Sequence, residues 1–393
     1  MSSALAKTLT PELDVQNAVA ALGAKLGAEL AGRALAADRR RGRGALSNVS
    51  GRFETEKREV FDDGWGGPET LDAVRGETLR ERPRRIVTRN SSPDLSFDRS
   101  VNPYRGCAHG CVYCYARPTH AYLGLSPGLD FETKLVVKDG AADLLDRELS
   151  APGYVPRMIA LGANTDPYQP IEREERVTRS LLEVLAKRDH PVGIVTKSHL
   201  VTRDLDILGP MAARGLAKVA VSVTTLDPGL ARRMEPRAPT PGKRIEAIAA
   251  LAQAGVPTTV LVAPVIPAIN DAEIEAILAK ARAAGATGAG FVMLRLPLEL
   301  RDVFREWLVA HYPERATRAL AGVRDMRGGK LNSPEFGARM SGSGPYAWMV
   351  ARRFQIARAR LGYRTGRLEL RTDLFKPAPA PRRGVDPAQL ALL

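Results

Sequence analysis

Residues 100–120 read SVNPYRGCAHGCVYCYARPTH and hold all three cysteines of this 393-residue chain. Cys107, Cys111 and Cys114 are spaced C-x3-C-x2-C, and Tyr113 directly precedes the third cysteine. Cysteines used only as small core residues would be scattered along the chain. Three thiolates on one short loop can bind three irons of a [4Fe–4S] cube, for which four cysteines are the complete protein set. The stretch therefore predicts a cluster whose fourth iron is open to a ligand that the protein does not supply.

Two other uses of these cysteines remain as alternatives. A structural zinc site needs four ligands, and His109 lies between the cysteines. The usual zinc pattern, however, has two separated cysteine pairs, and this sequence has no second pair. A disulfide would leave one thiol over and is typical of secreted proteins. The pattern therefore favours an iron–sulfur cluster over a zinc site or structural cysteines.

The composition is that of an ordinary globular protein with a large positive charge. Hydrophobic residues make up 44% of the chain, which allows a sizeable core. Lys and Arg number 58 against 44 acidic residues, for a formal net charge of +14. This charge favours a polyanionic partner such as DNA or RNA, although a biased genomic base composition would also enrich arginine. Aromatic residues are only 5%, so few side chains can stack on bases.

The sequence also bears on where the protein works. No apolar run approaches the ~20 residues of a membrane span, and the N-terminus lacks a signal-peptide pattern. Cysteines without disulfide partners suit a reducing compartment. We expect a cytoplasmic protein with no membrane partner.

From residue 85 onwards, strand and helix patterns alternate. Strands are predicted at Asp98–Arg105, Arg157–Leu161, Val192–Thr196, Ala217–Val223, Thr258–Val262 and Gly290–Leu294. Helices are predicted at Gly140–Ser150, Ile171–Arg188, Thr202–Arg214, Gly242–Ala254, Asp271–Ala284 and Leu300–His311. Six β/α units of about 30 residues each predict an α/β fold, a partial (β/α)6 TIM-type barrel with parallel strands. The cysteine loop follows the first strand, at the strand ends where such barrels place their chemistry.

Extensions flank this core on both sides. Residues 1–55 are predicted to form a basic, poorly ordered N-terminal extension, and residues 56–92 a lead-in segment. The core domain is assigned to residues 93–325. Residues 326–393 are predicted to form a basic extension with one helix over Tyr346–Leu361 and a Pro-rich tail.

Beyond the cysteines, several stretches resemble radical S-adenosylmethionine (SAM) enzymes, and within them the spore photoproduct lyase-like group and bacterial DNA-repair photolyase-like proteins. The resembling stretches are GRGALSNVSGRFE (42–54), TRNSSPDLSFDRSVNPYRGCAHGCVYCYARPTHAYLGLSPGLDFETK (88–134), GANTDPYQPIERE (162–174), VTKS (195–198), EPRAPTPGKRIEAI (235–248), APVIPAIND (263–271) and GPYAW (344–348). They extend over most of residues 42–360, so the resemblance is not confined to the cysteine motif.

The resemblance implies a [4Fe–4S] cluster on the three cysteines, with SAM bound to the open iron. Reduction would cleave SAM to methionine and a 5′-deoxyadenosyl radical, which abstracts a hydrogen atom from the substrate. A reducing electron donor such as flavodoxin or ferredoxin is then needed. Thr165, Lys197 and Ser222 fall where related enzymes contact SAM.

Polar residues at the strand ends are the candidates for holding SAM. They are Asn164, Thr165 and Asp166 after strand two, Lys197 at the end of strand three, and Ser222 and Arg237 on and after strand four. Asp166 could meet the SAM ammonium by charge, or it could simply form an Asx turn. Lys197 suits a carboxylate, and Arg237 suits the SAM carboxylate or a substrate phosphate.

One departure from the resemblance concerns hydrogen transfer. Spore photoproduct lyase uses an additional cysteine as hydrogen donor, and this chain has only three cysteines. Repair of spore photoproduct by that route is therefore not expected here, and Tyr115, Tyr168 or Tyr122 are the candidates instead. Two alternatives to a nucleic-acid substrate stay open. One is radical chemistry on a protein or small molecule, and the other is a non-catalytic iron–sulfur or zinc protein.

Overall fold

The computed structural model describes residues 40–55 and 74–377. Residues 1–39, for which low order is predicted, lie outside these ranges, and so does the Pro-rich tail beyond residue 377.

Ten strands form two sheets in the described residues. They are β1 (Glu77–Glu81), β2 (Val87–Arg89), β3 (Arg99–Val101), β4 (Tyr104–Arg105), β5 (Lys134–Lys138), β6 (Ile159–Leu161), β7 (Val192–Thr196), β8 (Ala217–Ser222), β9 (Thr258–Val265) and β10 (Gly288–Met293). The larger sheet has the order β10-β9-β8-β7-β6-β3-β2. Its strands β3, β6, β7, β8, β9 and β10 pair in parallel, and β2 pairs antiparallel with β3. The predicted α/β class and the six-strand parallel core of a partial barrel are confirmed.

Helices connect these strands. They are α1 (Asp130–Thr133), α2 (Ala141–Leu149), α3 (Glu172–Glu175), α4 (Val177–Lys187), α5 (Leu205–Ala213), α6 (Pro228–Met234), α7 (Pro241–Gln253), α8 (Ile274–Ala283), α9 (Leu300–His311), α10 (Pro313–Asp325), α11 (Ala338–Ser341) and α12 (Gly344–Arg360). Short 3-10 helices cover Arg117–Leu123, His199–Asp204 and Asp271–Glu273. No helix in residues 40–55 or 74–377 has the length and apolar character needed to cross a membrane.

The helix predictions fail where local geometry overrides propensity. The single helix predicted over Ile171–Arg188 is broken between α3 and α4 at Arg176, which has φ 51°. The helix predicted from Thr202 instead starts as a 3-10 turn, whose cap is Ser198 accepting from the Leu200 N–H at 3.2 Å. Helices α6 and α10 were not predicted, and both begin with a proline at the first position, which needs no N–H partner.

The core lies between the parallel strands and the helices outside them. Apolar residues of the central strands, such as Ile194 in β7 and Val221 in β8, are almost fully buried. On the helix side, Leu181 and Leu185 of α4 belong to the same hydrophobic cluster. Burial of each such side chain contributes roughly 2 kcal/mol, so the sheet is a rigid base for the loops at its ends.

The first predicted strand, Asp98–Arg105, is in fact two strands in different sheets. β3 ends at Val101, two residues before Pro103, which has no N–H to continue the ladder. β4 then pairs antiparallel with β5, and β5 pairs in parallel with β1. This three-stranded sheet carries the chain from the end of β3 into the cysteine loop.

Residues 40–55, called the arm below, pack onto the domain, whereas the sequence predicts low order for this stretch. Ala45, Leu46 and Ser47 are buried. The Ser47 hydroxyl donates to Glu306 of α9 at 2.6 Å. Contacts to an acidic side chain outside the segment, which no local pattern reveals, hold the arm in place.

Residues 364–377, called the strap below, cross the opposite end of the sheet. The N–H groups of Arg364, Arg371 and Lys376 donate to the carbonyls of Thr287, Gly215 and Arg188 at 3.0, 2.9 and 2.8 Å. These acceptors precede β10, β8 and β7 in the chain. The strap therefore lies at the N-terminal ends of the strands, away from the cysteine loop.

Candidate functional site

The cysteine loop runs from β4 to the 3-10 helix Arg117–Leu123. Cys107 and Cys111 are buried, and Cys114 is half-buried. The Cys107 N–H donates to the Phe131 carbonyl at 2.9 Å, and the Cys114 N–H donates to the Cys111 carbonyl at 3.3 Å. Gly110 has φ 70°, and a Cβ there would lie 2.7 Å from Glu132 Oε2, so this turn requires glycine.

A fully buried ion pair supports the loop from beneath. Arg117 donates to Glu132 at 2.5 Å, and the side chains of both residues are inaccessible to solvent. The same guanidinium donates to the carbonyls of Cys111 at 2.8 Å and Gly110 at 3.1 Å. Because a buried charge without its partner is costly, this pair fixes the backbone at the second cysteine and the glycine before it.

The arm joins this support. Glu132 accepts the N–H groups of Gly44 and Ala45 at 2.9 and 2.8 Å. A Cβ on Gly44 would lie 1.9 Å from the Gly110 carbonyl oxygen, so only glycine allows the close approach. The arm is thus part of the cysteine-loop structure, which the sequence does not predict.

Gln169, which follows β6, holds the start of the loop. Its Oε1 accepts the Ala108 N–H at 2.8 Å, and its Nε2 donates to the Gly106 carbonyl at 3.1 Å. Gln169 is fully buried. It lies in the quoted stretch GANTDPYQP, but no local signal distinguishes it from its neighbours there.

Lys197 and Ser222 meet at the ends of β7 and β8. The Lys197 ammonium donates to the Ser222 hydroxyl at 3.0 Å, and the hydroxyl donates to the Ala263 carbonyl at 3.0 Å. Lys197 Nζ also lies 5.6 Å from the centre of the Tyr113 ring. The structure therefore brings together two residues that the sequence selects from separate strands, and places them beside the cysteine loop.

The ammonium group of Lys197 affects the pKa of the Cys111 thiol. Burial raises the pKa of Cys111 to about 12, the Glu235 carboxylate adds to the shift, and Lys197 opposes it. Burial also raises the pKa of Cys107 and Cys114. A metal centre that takes these three ligands therefore displaces their protons.

Asp166 has several partners within the protein. Its carboxylate accepts from the Thr196 hydroxyl at 2.7 Å and from the backbone N–H groups of Lys197 at 2.8 Å and Tyr168 at 2.9 Å. His109 Nδ1 lies 3.4 Å away. Burial alone would raise the pKa of Asp166, but His109 and these hydrogen bonds lower it to about 2. Asp166 therefore joins the ends of neighbouring strands, and its contact with the SAM ammonium stays a prediction.

Thr165 and Asn164 also make internal contacts. The Thr165 hydroxyl donates to the Tyr104 carbonyl at 2.8 Å, and the Asn164 N–H donates to Asn102 Oδ1 at 3.0 Å. Both bonds tie the end of β6 to the segment that leads into the cysteine loop. Thr165 is buried, while the Asn164 side chain is half-buried.

Arg237 approaches the cysteine loop through its backbone. Its N–H donates to the His109 carbonyl at 3.3 Å, and the Met234 carbonyl accepts the Val112 N–H at 3.0 Å. The Arg237 residue itself is exposed. The segment after α6 therefore braces the loop and leaves this cation facing solvent.

Beneath that segment lies a second buried ion pair, which the sequence reading missed. Glu235 and Arg244 are joined at 2.6 Å, and both are almost inaccessible to solvent. Arg244 Nη1 donates to the Ser222 carbonyl at 3.3 Å. Burial opposes ionisation of Glu235, but Arg244 and Lys197 lower its pKa to about 2. The pair fixes the position of Ser222. Its only trace in the sequence is one charged residue in each of two separate helical segments.

Two of the tyrosines proposed for hydrogen transfer, Tyr115 and Tyr168, differ in position. Tyr115 follows Cys114 directly, is exposed, and donates its hydroxyl to the Ala163 carbonyl after β6. Tyr168 is buried, and its hydroxyl donates to Asp204 at 3.0 Å within a structural network that includes Arg203. The structure thus leaves Tyr115 beside the cysteines and commits Tyr168 to packing.

The donor set fits an iron–sulfur cluster. Thiolates are the protein ligands of [4Fe–4S] cubes, and each binds a different iron. In the part of the chain that the structure describes, no three His, Cys, Asp or Glu side chains form a group suited to one metal ion.

Comparisons with known proteins agree with this site. Residues 101–281 match the family model of the radical SAM superfamily. An uncharacterized protein of Mycobacterium tuberculosis is 41% identical over 226 residues, which are 57% of this chain and 66% of that protein. An uncharacterized protein of Methanocaldococcus jannaschii is 28% identical over 239 residues, which are 61% of this chain and 85% of that protein.

Among solved structures, spore photoproduct lyase with bound AdoMet and dinucleoside spore photoproduct superposes with a TM-score of 0.53. The two sequences are 15% identical, and the superposition covers 75% of this chain and 86% of the lyase chain, so the likeness is one of fold. Residues 101–281 therefore match the radical SAM superfamily, whose members bind a [4Fe–4S] cluster and SAM. The match spans just under two thirds, 66%, of the mycobacterial relative's length. The predicted family, enzyme class and cofactors are confirmed.

Proposed function

We propose that this protein cleaves SAM reductively at a [4Fe–4S] cluster on Cys107, Cys111 and Cys114, and directs the resulting radical at a nucleic acid. The observation that carries the proposal is the position of all three thiols on one loop at the ends of parallel strands, beside Lys197 and Ser222. Bound there, the cluster supplies the electron that splits SAM into methionine and a 5′-deoxyadenosyl radical.

Lys197 is the proposed ligand of the SAM carboxylate. Its ammonium is held by Ser222 at 3.0 Å, and Ser222 is itself oriented by the Ala263 carbonyl. A charge-assisted hydrogen bond of this kind contributes about 1.5–3 kcal/mol. Asn164, Thr165 and Asp166 support the same face through the bonds described above. We assign them to positioning the strand ends beside SAM.

Positive charge beside the cysteine loop supports a nucleic-acid substrate. Burial and the nearby Arg237 lower the pKa of Arg43, while Glu132 opposes the shift, so two cations lie close together there. Burial, Arg233 and Arg40 similarly lower the pKa of His311 at the end of α9. The arm and the segment around α6 thus gather cations next to the loop, where phosphates would bind with release of counterions.

Tyr115 is the proposed hydrogen relay. It is exposed, adjoins the third cysteine, and has no thiol to compete with, since the chain has three cysteines in all. Tyr115→Phe should let SAM be cleaved while substrate turnover falls.

We place the enzyme in a reducing cytoplasm with flavodoxin or ferredoxin as electron donor, because its cluster must be reduced before each cleavage.

Anaerobic reconstitution tests the first part of the proposal. The wild-type chain should bind about 4 irons and release 5′-deoxyadenosine when reduced with dithionite in the presence of SAM. A variant with all three cysteines changed to alanine should do neither. Lys197→Met should retain the iron and lose most SAM binding. Iron-free wild-type protein, or iron-loaded protein that never cleaves SAM, would contradict the assignment.

Deuterium transfer tests the second part. Oligonucleotides deuterated at base or sugar positions should pass deuterium into 5′-deoxyadenosine, and their affinity should fall steeply with salt. Deuterium arriving instead from a peptide or metabolite, with salt-independent binding of DNA and RNA, would place the substrate in another class.

A further inference from the structure

Three side chains form an exposed aromatic cluster at the rim of the site. Phe53 of the arm and Tyr122 of the 3-10 helix have ring centres 5.3 Å apart and planes inclined at 34°. The guanidinium of Arg52 lies 4.8 Å from the Phe53 ring centre and 5.1 Å from that of Tyr122. Phe53 is 54% exposed and Tyr122 69% exposed. The cluster is therefore preassembled and still open to solvent.

The cluster is fixed relative to the cysteine loop. Tyr122 belongs to the same short helix as Arg117, which donates to the Cys111 carbonyl. Arg52 donates to both carboxylate oxygens of Glu299 at 2.8 Å, and Glu299 immediately precedes α9, beyond the end of β10. The aromatic cluster consequently lies on the face that carries the three cysteines.

Aromatic side chains are scarce in this protein, yet the exposed ones share one feature. Within the described ranges, the exposed aromatic side chains are Phe53, Tyr115, Tyr122, Phe336 and Trp348. All except Trp348 lie within 5.1 Å of an arginine guanidinium. Two of these rings, Tyr115 and Tyr122, belong to the segment that follows Cys114. Water-exposed rings add little to folding stability, whereas a ring next to a guanidinium offers a nucleobase both a stacking face and a positive charge.

We propose that the Arg52–Phe53–Tyr122 cluster stacks an unpaired base of the nucleic-acid substrate at the entrance to the site. This inference rests on the nucleic-acid part of the proposed function and specifies how the strand is held. Phe53 and Tyr122 supply the π-surfaces, and Arg52, held by Glu299, fixes the two rings in place. Stacking accepts any base, so the cluster would position a strand without reading its sequence.

Fluorescence anisotropy of the full-length protein with a fluorescein-labelled oligothymidylate of about 15 nucleotides measures the proposed contact. Each stacked base contributes a factor of roughly 10 to 100 in affinity, so the double variant Phe53→Ala/Tyr122→Ala should bind that much more weakly. Tyr122→Phe keeps the ring and should bind within about twofold of wild type. Trp348→Ala is the matched control, since Trp348 is 67% exposed but lies on α12, outside the site. A duplex of the same length should show a smaller loss, because its bases are already stacked.

The outcomes separate this inference from the proposed function. Salt-dependent binding by wild type with an undiminished affinity of the double variant would overturn the stacking role alone. A wild-type protein that binds no strand at all would overturn the nucleic-acid substrate as well. Thermal melting, and SAM cleavage without substrate, should be unchanged in the double variant, which shows that a loss of affinity does not come from unfolding.

Discussion

The arm and the strap lie at opposite ends of the same sheet, and they are attached by different kinds of contact. The arm is held by the buried carboxylate of Glu132, which also pairs with Arg117 beneath the cysteine loop. The strap is held by backbone hydrogen bonds and by Phe375, which packs against His190 and Tyr154. A disturbance of the arm should therefore reach the cysteines, whereas a disturbance of the strap should cost stability alone.

The largest effect is expected from Arg117→Met. It leaves Glu132 buried without its partner and removes the bonds to the cysteine-loop carbonyls, at a cost of about 3–5 kcal/mol. The free energy of unfolding measured in urea and the iron content should both fall. Arg80→Met is the control, because Arg80 is exposed in its pairs with Asp139 and Glu175, and its loss should leave stability and iron content nearly unchanged. Full iron loading in Arg117→Met would refute the link between this pair and the cluster.

Gly44→Ala should have the next largest effect. The new methyl group meets the Gly110 carbonyl at 1.9 Å, so the arm must move, at about 1–3 kcal/mol. The iron bound after reconstitution should drop with the melting temperature. Gly242→Ala is the matched control, since a Cβ there meets nothing within 4 Å and the position lies in α7. That control should be neutral or slightly stabilising. Equal behaviour of the two variants would contradict the close approach of arm and loop.

One pH effect should arise beside the strap, at His190. Burial lowers the pKa of His190 to about 4, with Arg99 nearby and the Tyr154 hydroxyl at 2.8 Å. Between pH 6.5 and 4 the unfolded chain binds a proton there that the folded chain does not. The stability contribution is therefore complete above about pH 6.5 and lost as pH falls, by roughly 2 kcal/mol at pH 5. Urea unfolding at pH 7 and pH 5 should show a smaller difference in His190→Gln than in wild type, and an equal difference would exclude His190 as a cause.

The smallest effect is expected from Phe375→Ala. This half-buried ring loses its contacts with Tyr154 and His190, at about 1 kcal/mol. Iron content and SAM cleavage should be unchanged. A loss of iron here would show that the two ends of the sheet are coupled after all.

The sequence predicts the framework of this molecule well and its supports poorly. The six parallel strands and α9 follow from local hydrophobic patterns, and the three cysteines follow from their spacing. Lys197 and Ser222 could be selected because parallel strands bring their C-terminal ends together. Gln169, Glu132 and Arg244 could not, because their roles depend on partners distant in sequence. Asp166 shows the same limit, since its position at a strand end was recognised but its three hydrogen-bond donors were not.

The central claim is that three thiolates hold a cluster whose fourth iron is open to SAM. Electron paramagnetic resonance of the reduced, reconstituted wild-type protein, recorded with and without SAM, tests this most directly. Binding of SAM to the open iron should shift the g-values of the reduced cluster, and Lys197→Met should weaken the shift at limiting SAM. A cluster signal that saturating SAM leaves unchanged, or no cluster signal at all, would contradict the account.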